Sequence, residues 1–250
     1  YQELLQEGHP ADIAEIMERL DVDLALVLYE QLDDEIGAEV LMEIDEELRS
    51  KILEDYSGKE IATELIDNLD SDDAADLINE LDESQRREVL ENIEDQKQAM
   101  DIARLLIYPE GTAGSLMGTE MIKVKDHWKV LECVREMRKQ AEEIEIVHAI
   151  YVVNEANKLL GTLSLKKLLT TSTRTPIGEV YSQKVQYVEV NTEAEEVANV
   201  MQKYDLVVMP VVDPIGHLVG RITIDDVIDF IRDEAKEDYN LASGLTEEVE

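Results

Sequence analysis

The sequence predicts a multidomain α+β protein: an N-terminal all-α superhelical array of short helices, then two βαββα-type units. Three observations carry this. Apolar stripes at helical spacing recur every 12 or 13 residues through the first part of the chain. Beyond residue 109 the composition turns to β-branched runs bounded by turn residues. A stretch of this second part then repeats without a gap at an offset of 59.

In the first part the stripes end at Leu20, Leu32, Ile44, Tyr56, Leu69, Leu81 and Ile93. The next residue is Asp21, Asp33, Asp45, Ser57, Asp70, Asp82 or Glu94, and Asp or Ser there suits the N-cap of the following helix. Within a unit the apolar residues keep helical spacing, as in Ile13, Ile16, Met17 and Leu20, or Leu77, Ile78 and Leu81. Helices this short cannot bury their faces alone, so residues 1–109 should stack as a small solenoid.

The second part follows "YPEGTAGSLMG" at Tyr108–Gly118. Here "IYVVNEANKLLGTLSLKKLL" from Ile150 aligns with "MPVVDPIGHLVGRITIDDVI" from Met209, each reading strand, turn, strand, helix. An amphipathic helix precedes each copy, at 129–139 and 193–204. The expected units are 110–178 and 179–236.

The chain has 250 residues, of which 44% are hydrophobic, enough for real cores. Its formal charge of -36, from 59 acids against 23 basic residues, repels nucleic-acid phosphates and anionic membrane surfaces. Residues 1–109 hold 33 of the acids and only 8 Lys or Arg, so cations or basic partners suit this half best. Cys133 sits in a helical pattern as a structural thiol, and a single cysteine excludes an intrachain disulfide. No run approaches the roughly 18 apolar residues of a membrane helix, and the N-terminus lacks signal-peptide order. The chain opens without Met and closes in "LTEEVE", as a piece of a longer protein would.

The most acidic stretch, "DSDDAADLINELDE" at 70–83, holds seven carboxylates and no Lys or Arg. Asp72, Asp76 and Glu80 are four apart and form one ridge on a helix, at a cost of about 0.2 to 0.5 kcal/mol per like-charged pair. A second ridge, Asp225, Asp226, Asp229 and Asp233, continues into Glu234, Glu237 and Asp238. Two such surfaces repel by about 4 kcal/mol per pair at 4 Å and an effective dielectric of 20, so divalent cations would decide whether they meet. Mg2+ suits this arrangement, being a hard ion that takes one or two carboxylates and keeps several waters.

Other chemistries find less support. An EF-hand starting at Asp70 would place Ala75 where Gly is required and Leu81 where Glu is required. His9, His127, His148 and His217 show no metal spacing among themselves or with Cys133, which argues against zinc. Neither GxxxxGK[ST] nor GxSxG occurs, and no His stands by motif beside Cys or Ser, so an enzyme is not expected.

The doubled unit, with "GTLS" at Gly161 and "GRITIDDV" at Gly220, resembles the CBS domain, which works in pairs. The acidic array, "YPEGTAGSLMG", "KYDLVVMPVVD" and "GRITIDDVIDFI" together resemble, end to end, the cytosolic portion of the MgtE family of magnesium transporters. That resemblance implies a connecting helix that starts in 237–250 and leads into a membrane channel, a homodimer formed through the CBS domains, and a place at the cytoplasmic face of the membrane. It also implies that bound Mg2+ favours the closed state. The magnesium positions it implies are Glu39, Asp72, Asp73, Asp76, Asp205, Asp226, Asp229, Glu234, Glu237 and Asp238, with a backbone carbonyl near Ser115.

CBS pairs bind adenosine nucleotides, ATP among them, through a Ser or Thr and an Asp three residues later. The second copy keeps this as Thr223 and Asp226, beside Leu206, Pro210 and Asp229, whereas the first has Ser164 followed by Lys167. One full nucleotide site is therefore expected at most. The structural alternative for Thr223 is a helix N-cap satisfying the amide of Asp226. The alternative function is an adenine-nucleotide-sensing or scaffolding module.

Overall fold

Short helices joined by single extended residues need a side-chain acceptor at each new N-terminus, and the chain supplies one at most junctions. Asp33 accepts from Ile36 N, Asp45 from Leu48 N, Asp82 from Ser84 N and Gln85 N, and Ser57 forms a capping box with Glu60. The last junction shifts by one residue, because Asp95 and not Glu94 caps its helix through Lys97 N and Gln98 N.

The computed structural model describes residues 8–141, 144 and 146–243, and their side chains except those of 237, 238 and 240–243. It comprises two units, Tyr1–Ile107 and Tyr108–Glu250.

The first unit holds α1 (Pro10–Glu18), α2 (Val22–Tyr29), α3 (Asp34–Glu43), α4 (Glu46–Leu53), α5 (Gly58–Glu60), α6 (Ser71–Glu80), α7 (Glu83–Asn92) and α8 (Gln96–Leu105). After α5 the chain winds on as a π-turn over Ile61–Leu65 and a 3-10 turn over Ile66–Asn68. Gln98 Nε2 reaches the Ile66 carbonyl at 2.8 Å, satisfying an acceptor where the winding changes. α1 packs on α2 and α3, α5 on α7, and α6 on α8. The interior they share is aliphatic, with Met17, Leu41, Ile52, Ile61, Leu77 and Ile102 fully buried.

Two arginines lock successive helices. α3 and α6 end in extended residues, Ile44 and Leu81, which leaves last-turn carbonyls in need of donors. Arg49 donates to Ile44 O at 2.9 Å and to Met42 O at 3.4 Å. Arg86 donates to Asn79 O at 2.9 Å, Ile78 O at 3.2 Å and Leu81 O at 3.4 Å. Each arginine stands five residues beyond the extended residue, in the second turn of the next helix.

The second unit contains β1 (Ile122–Lys125), α9 (Val130–Gln140), β2 (Ile150–Val153), β3 (Leu159–Leu163), α10 (Leu165–Thr170), β4 (Val188–Glu189), α11 (Ala194–Tyr204), β5 (Val208–Val212), β6 (Leu218–Thr223) and α12 (Ile224–Ser243). Two three-stranded sheets, β1-β2-β3 and β4-β5-β6, share one pattern: the first pair is parallel and the second antiparallel. The repeat extends to irregularities. Register shifts fall at Val152/Val153 and Val211/Val212, and the turns pass through left-handed Asn157 (φ 59°) and Gly216 (φ 89°). Asn is among the few residues that tolerate that conformation, so Asn157 substitutes for the glycine of the second copy.

The copies clasp each other reciprocally. Leu159 N donates to Gly216 O at 3.1 Å, and Leu218 N to Asn157 O at 3.0 Å, joining the two hairpin turns. Thr162 exchanges both backbone bonds with Ser182, and Arg221 does so with Gly118. Gly161 and Gly220 permit this approach: a Cβ on Gly161 would lie 1.9 Å from Ser182 O, and one on Gly220 would lie 2.5 Å from Met117 Sδ. β2 is buried on both faces. Ile150 and Val152 join Val124, Cys133 and Leu168 in one core, while Tyr151 and Val153 meet Met121 and Leu218 in another. Burial pushes the Cys133 thiol up to about 11, as a structural cysteine requires.

α12 runs unbroken across the expected boundary at 236/237, because its sequence from Ile224 to Ser243 contains neither Gly nor Pro. The helix that follows β6 therefore continues through the position expected to open a separate connecting helix. No helix among the described residues is long and apolar enough to cross a membrane.

Candidate functional site

In the first unit the candidate acids lie on α3 and α6. Glu39 is exposed on α3. α6 places Asp72 and Asp76 one turn apart, with Asp72 buried, Asp73 half-buried and Asp76 exposed. Asp72 and Asp73 occupy the first turn, where the helix N-terminus favours negative charge. The ridge ends differently from expectation: Glu80 pairs with Arg49 at 2.7 Å, so its charge is compensated.

In the second unit the chain gathers its acids at the junction of β5, β6 and α12. Val208 lies opposite Thr223 across the β5–β6 ladder, and Ile224 N bonds Val207 O. These bonds tie the segment that follows half-buried Leu206 to the β6–α12 junction, which carries Thr223 and Asp226. Pro210 is buried on β5 opposite Arg221. Asp205 closes α11 in a left-handed conformation with its side chain exposed.

Asp226 Oδ2 accepts from Thr223 N and from Thr223 Oγ1, both at 2.7 Å. The carboxylate thus reaches back to the threonine amide, the reverse half of a capping box, so the structural alternative of a helix N-cap holds here through Asp226 rather than through the Asp226 amide. The first copy is the ordinary cap: Ser164 accepts from Lys167 N at 3.2 Å. Burial raises the Asp226 pKa, the Thr223 bonds oppose that rise, and Asp225 adds to it while Arg221 lowers it. Asp229, one turn further along, is exposed and within 3.1 Å of Arg232, and Glu234 is exposed beyond it. The side chains of Glu237 and Asp238 lie outside the described residues.

Ser115 sits in a tight turn whose hydroxyl donates to Thr112 O at 2.9 Å and accepts from Thr112 N at 3.2 Å. Backbone bonds from Ala113 to Thr192 and from Gly114 to Val190 fix that turn beside β4. Asp226 and Asp229 stand one turn apart on α12 and present carboxylate oxygens, the hard donors that Mg2+ takes, whereas Glu234, five residues beyond Asp229, faces another side of the helix.

A cleft between the two sheets is lined by residues not expected at a site, Glu120, Tyr151, Val208 and Arg221 with Ile146 and Val147, and by His148, which showed no metal spacing. Its free volume is about 10 Å³, the space of a single water and far below that of a nucleotide. Tyr151 Oη is buried there without a hydrogen-bond partner among the described residues, and burial pushes its pKa up. The available signal was the repeat itself, which sets Tyr151 against Pro210 and Thr162 against Arg221. His127 and His217 serve carboxylates, Glu155 at 3.2 Å and Asp213 at 2.9 Å respectively.

Two pseudo-symmetric βαββα units, clasped through their turns and preceded by an acidic helical array, define a CBS-pair protein with an N-terminal helical domain. Family models agree: residues 8–111 match the MgtE intracellular N domain, and residues 113–173 and 177–233 match the CBS domain. A crystal structure of the cytosolic domain of the Mg2+ channel MgtE in complex with ATP is 34% identical, covers 92% of this chain and 93% of that one, and superposes with a TM-score of 0.83. A second, of the soluble part of a magnesium transporter, is 30% identical with a TM-score of 0.81 and covers 94% and 91%. The magnesium transporter MgtE of Thermus thermophilus is 41% identical over 146 residues, 58% of this chain and 32% of that protein. The chain belongs to the MgtE family. The aligned stretch spans about a third of the length of the curated relatives it matches.

Proposed function

We propose that this chain is the Mg2+-sensing regulatory region of a magnesium transporter or channel, working at the cytoplasmic face of the membrane. Mg2+ neutralises the acidic faces of the helical domain, the CBS pair and α12, and so favours the closed state of a transmembrane domain joined through that helix. Loss of Mg2+ lets like charge separate those faces and favours opening. The observation that carries this reading is the carboxylate pair Asp226 and Asp229, one turn apart on one continuous helix, in a fold shared over nearly its whole length with the cytosolic domain of a Mg2+ channel. The expected ligand surfaces are Glu39, Asp72, Asp73 and Asp76 on one side, and Asp205, Asp226, Asp229 and Glu234 on the other. Calorimetric titration with MgCl2 tests it: Asp226→Asn/Asp229→Asn should remove binding heat, and unchanged heat would defeat the assignment.

A homodimer through the CBS pair draws support from the repeat. Leu169 and Ile228 occupy equivalent positions of α10 and α12, 59 residues apart, and both are exposed, at 73% and 48%. Two large apolar side chains at matched places suit a second copy more than water.

The second reading, an adenine-nucleotide sensor, rests on Leu206, Pro210, Thr223 and Asp226 at one strand–helix junction, and on the ATP named for a related structure. ATP titration of Thr223→Val would test it, with lost affinity in its favour and retained affinity against it. A regulatory, non-enzymatic role suits the family to which the chain belongs.

A further inference from the structure

We propose that the outer face of α2 in the N-terminal unit is a docking surface for a basic amphipathic helix of a separate protein. α2 reads Val-Asp-Leu-Ala-Leu-Val-Leu-Tyr, apolar on nearly all sides, yet it packs chiefly on α1. Only Ala25 and Tyr29 of α2 are buried. Leu24 and Val27, neighbours one turn apart, are 55% and 57% exposed, and Val22, Leu20 and Ile16 extend the apolar surface across the turn. A helix apolar on all sides belongs in a core or against a partner.

Charge selects the partner. Between residues 10 and 33 seven acids stand against Arg19 alone, and Arg19 is paired with Glu15. Asp21, Asp23 and Glu30 are exposed around the patch. An apolar centre with an acidic rim complements a helix with leucine-like residues on one face and lysines or arginines beside them. The same rim disfavours a second copy of this face and repels anionic lipid headgroups.

The probe is a synthetic four-turn helix with Leu at the a and d heptad positions and Lys elsewhere, set against a scrambled peptide of equal charge, both titrated into the whole chain at physiological ionic strength. The expected result is at least about tenfold tighter binding of the amphipathic peptide, lost in Leu24→Gln/Val27→Gln. Both side chains already face solvent, so circular dichroism of the variant should match the parent; Val27→Gln alone provides the reading if the double variant unfolds. Equal binding of the two peptides, no binding, or unchanged binding by the variants would overturn the proposal. So would concentration-dependent self-association abolished by the same substitutions, or binding of the chain to anionic vesicles through this face.

Discussion

A single oxygen of Asp226 takes two hydrogen bonds from one residue, the amide and the hydroxyl of Thr223, each at 2.7 Å. The carboxylate is thereby oriented at the first turn of α12, with Asp229 one turn on. The same pair of residues could serve a cation or a nucleotide, so its energetics separate a structural cap from a ligand site.

Thr223→Val should destabilise the second unit by about 1–3 kcal/mol, since it removes a hydroxyl donor from a half-buried carboxylate. It should also raise the Asp226 pKa further, because the hydroxyl bond is one of the interactions that oppose its rise. Urea unfolding and NMR titration of the Asp226 carboxyl measure both effects. A neutral substitution with no pKa change would show that the bonds carry no energy.

The pH dependence of Asp226 follows from its raised pKa. The folded state holds the proton more tightly than the unfolded chain, so this stabilising contribution is present below the ordinary carboxylate pKa and is lost as pH rises through the raised value. In metal-free buffer Asp226→Asn should therefore be more stable than the parent at neutral pH, and the gap should close on acidification. Thermal melts across that range decide it; a variant less stable at neutral pH would contradict the burial argument.

Arg49 should be far more valuable than the exposed Arg19. Its side chain is 12% exposed, pairs with Glu80 and bonds two end-of-helix carbonyls, so Arg49→Met should cost about 3 kcal/mol. Arg19→Met loses an exposed pair and should cost no more than about 0.5 kcal/mol. Similar unfolding midpoints for the two variants would remove the helix lock from the account.

Gly161→Ala should disrupt the clasp between the CBS units more than Gly220→Ala does. At Gly161 the obstacle is the Ser182 backbone, whereas at Gly220 the closest atoms belong to the flexible Met117 side chain, with Gly118 O at 2.9 Å. Hydrogen exchange at Thr162 and Arg221 reads each clasp separately. Unchanged protection of Thr162 in Gly161→Ala would refute the stated packing.

Leu169→Asp/Ile228→Asp should shift the chain toward monomer in analytical ultracentrifugation if these matched positions form the dimer face. A sedimentation profile identical to the parent would place the second copy elsewhere.

Much of this fold was written in periodicities. The Leu-Asp and Ile-Asp junctions announced the helix ends, and the offset of 59 carried through to strand register, bulges, turn conformation and clasping glycines. What stayed hidden depends on contacts far apart in sequence. Nothing local in Arg49 or Arg86 says that each folds back on a finished helix, or that Glu80 surrenders its charge to Arg49. Tyr151 and Arg221 looked like ordinary strand residues until the two sheets placed them around one cleft. At the candidate site, spacing put Asp226 and Asp229 on one helical face, but Thr223's grip on Asp226 needed the β5–β6 register.

In the proposed mechanism a divalent cation reconciles acidic faces that otherwise repel. Small-angle scattering of this chain at constant ionic strength, titrating MgCl2 against a matched monovalent salt, tests it most directly. The expected result is a saturating fall in radius of gyration with Mg2+ alone, abolished in Asp72→Asn/Asp76→Asn. Equal shrinkage with both salts would reduce the effect to screening and contradict the sensor.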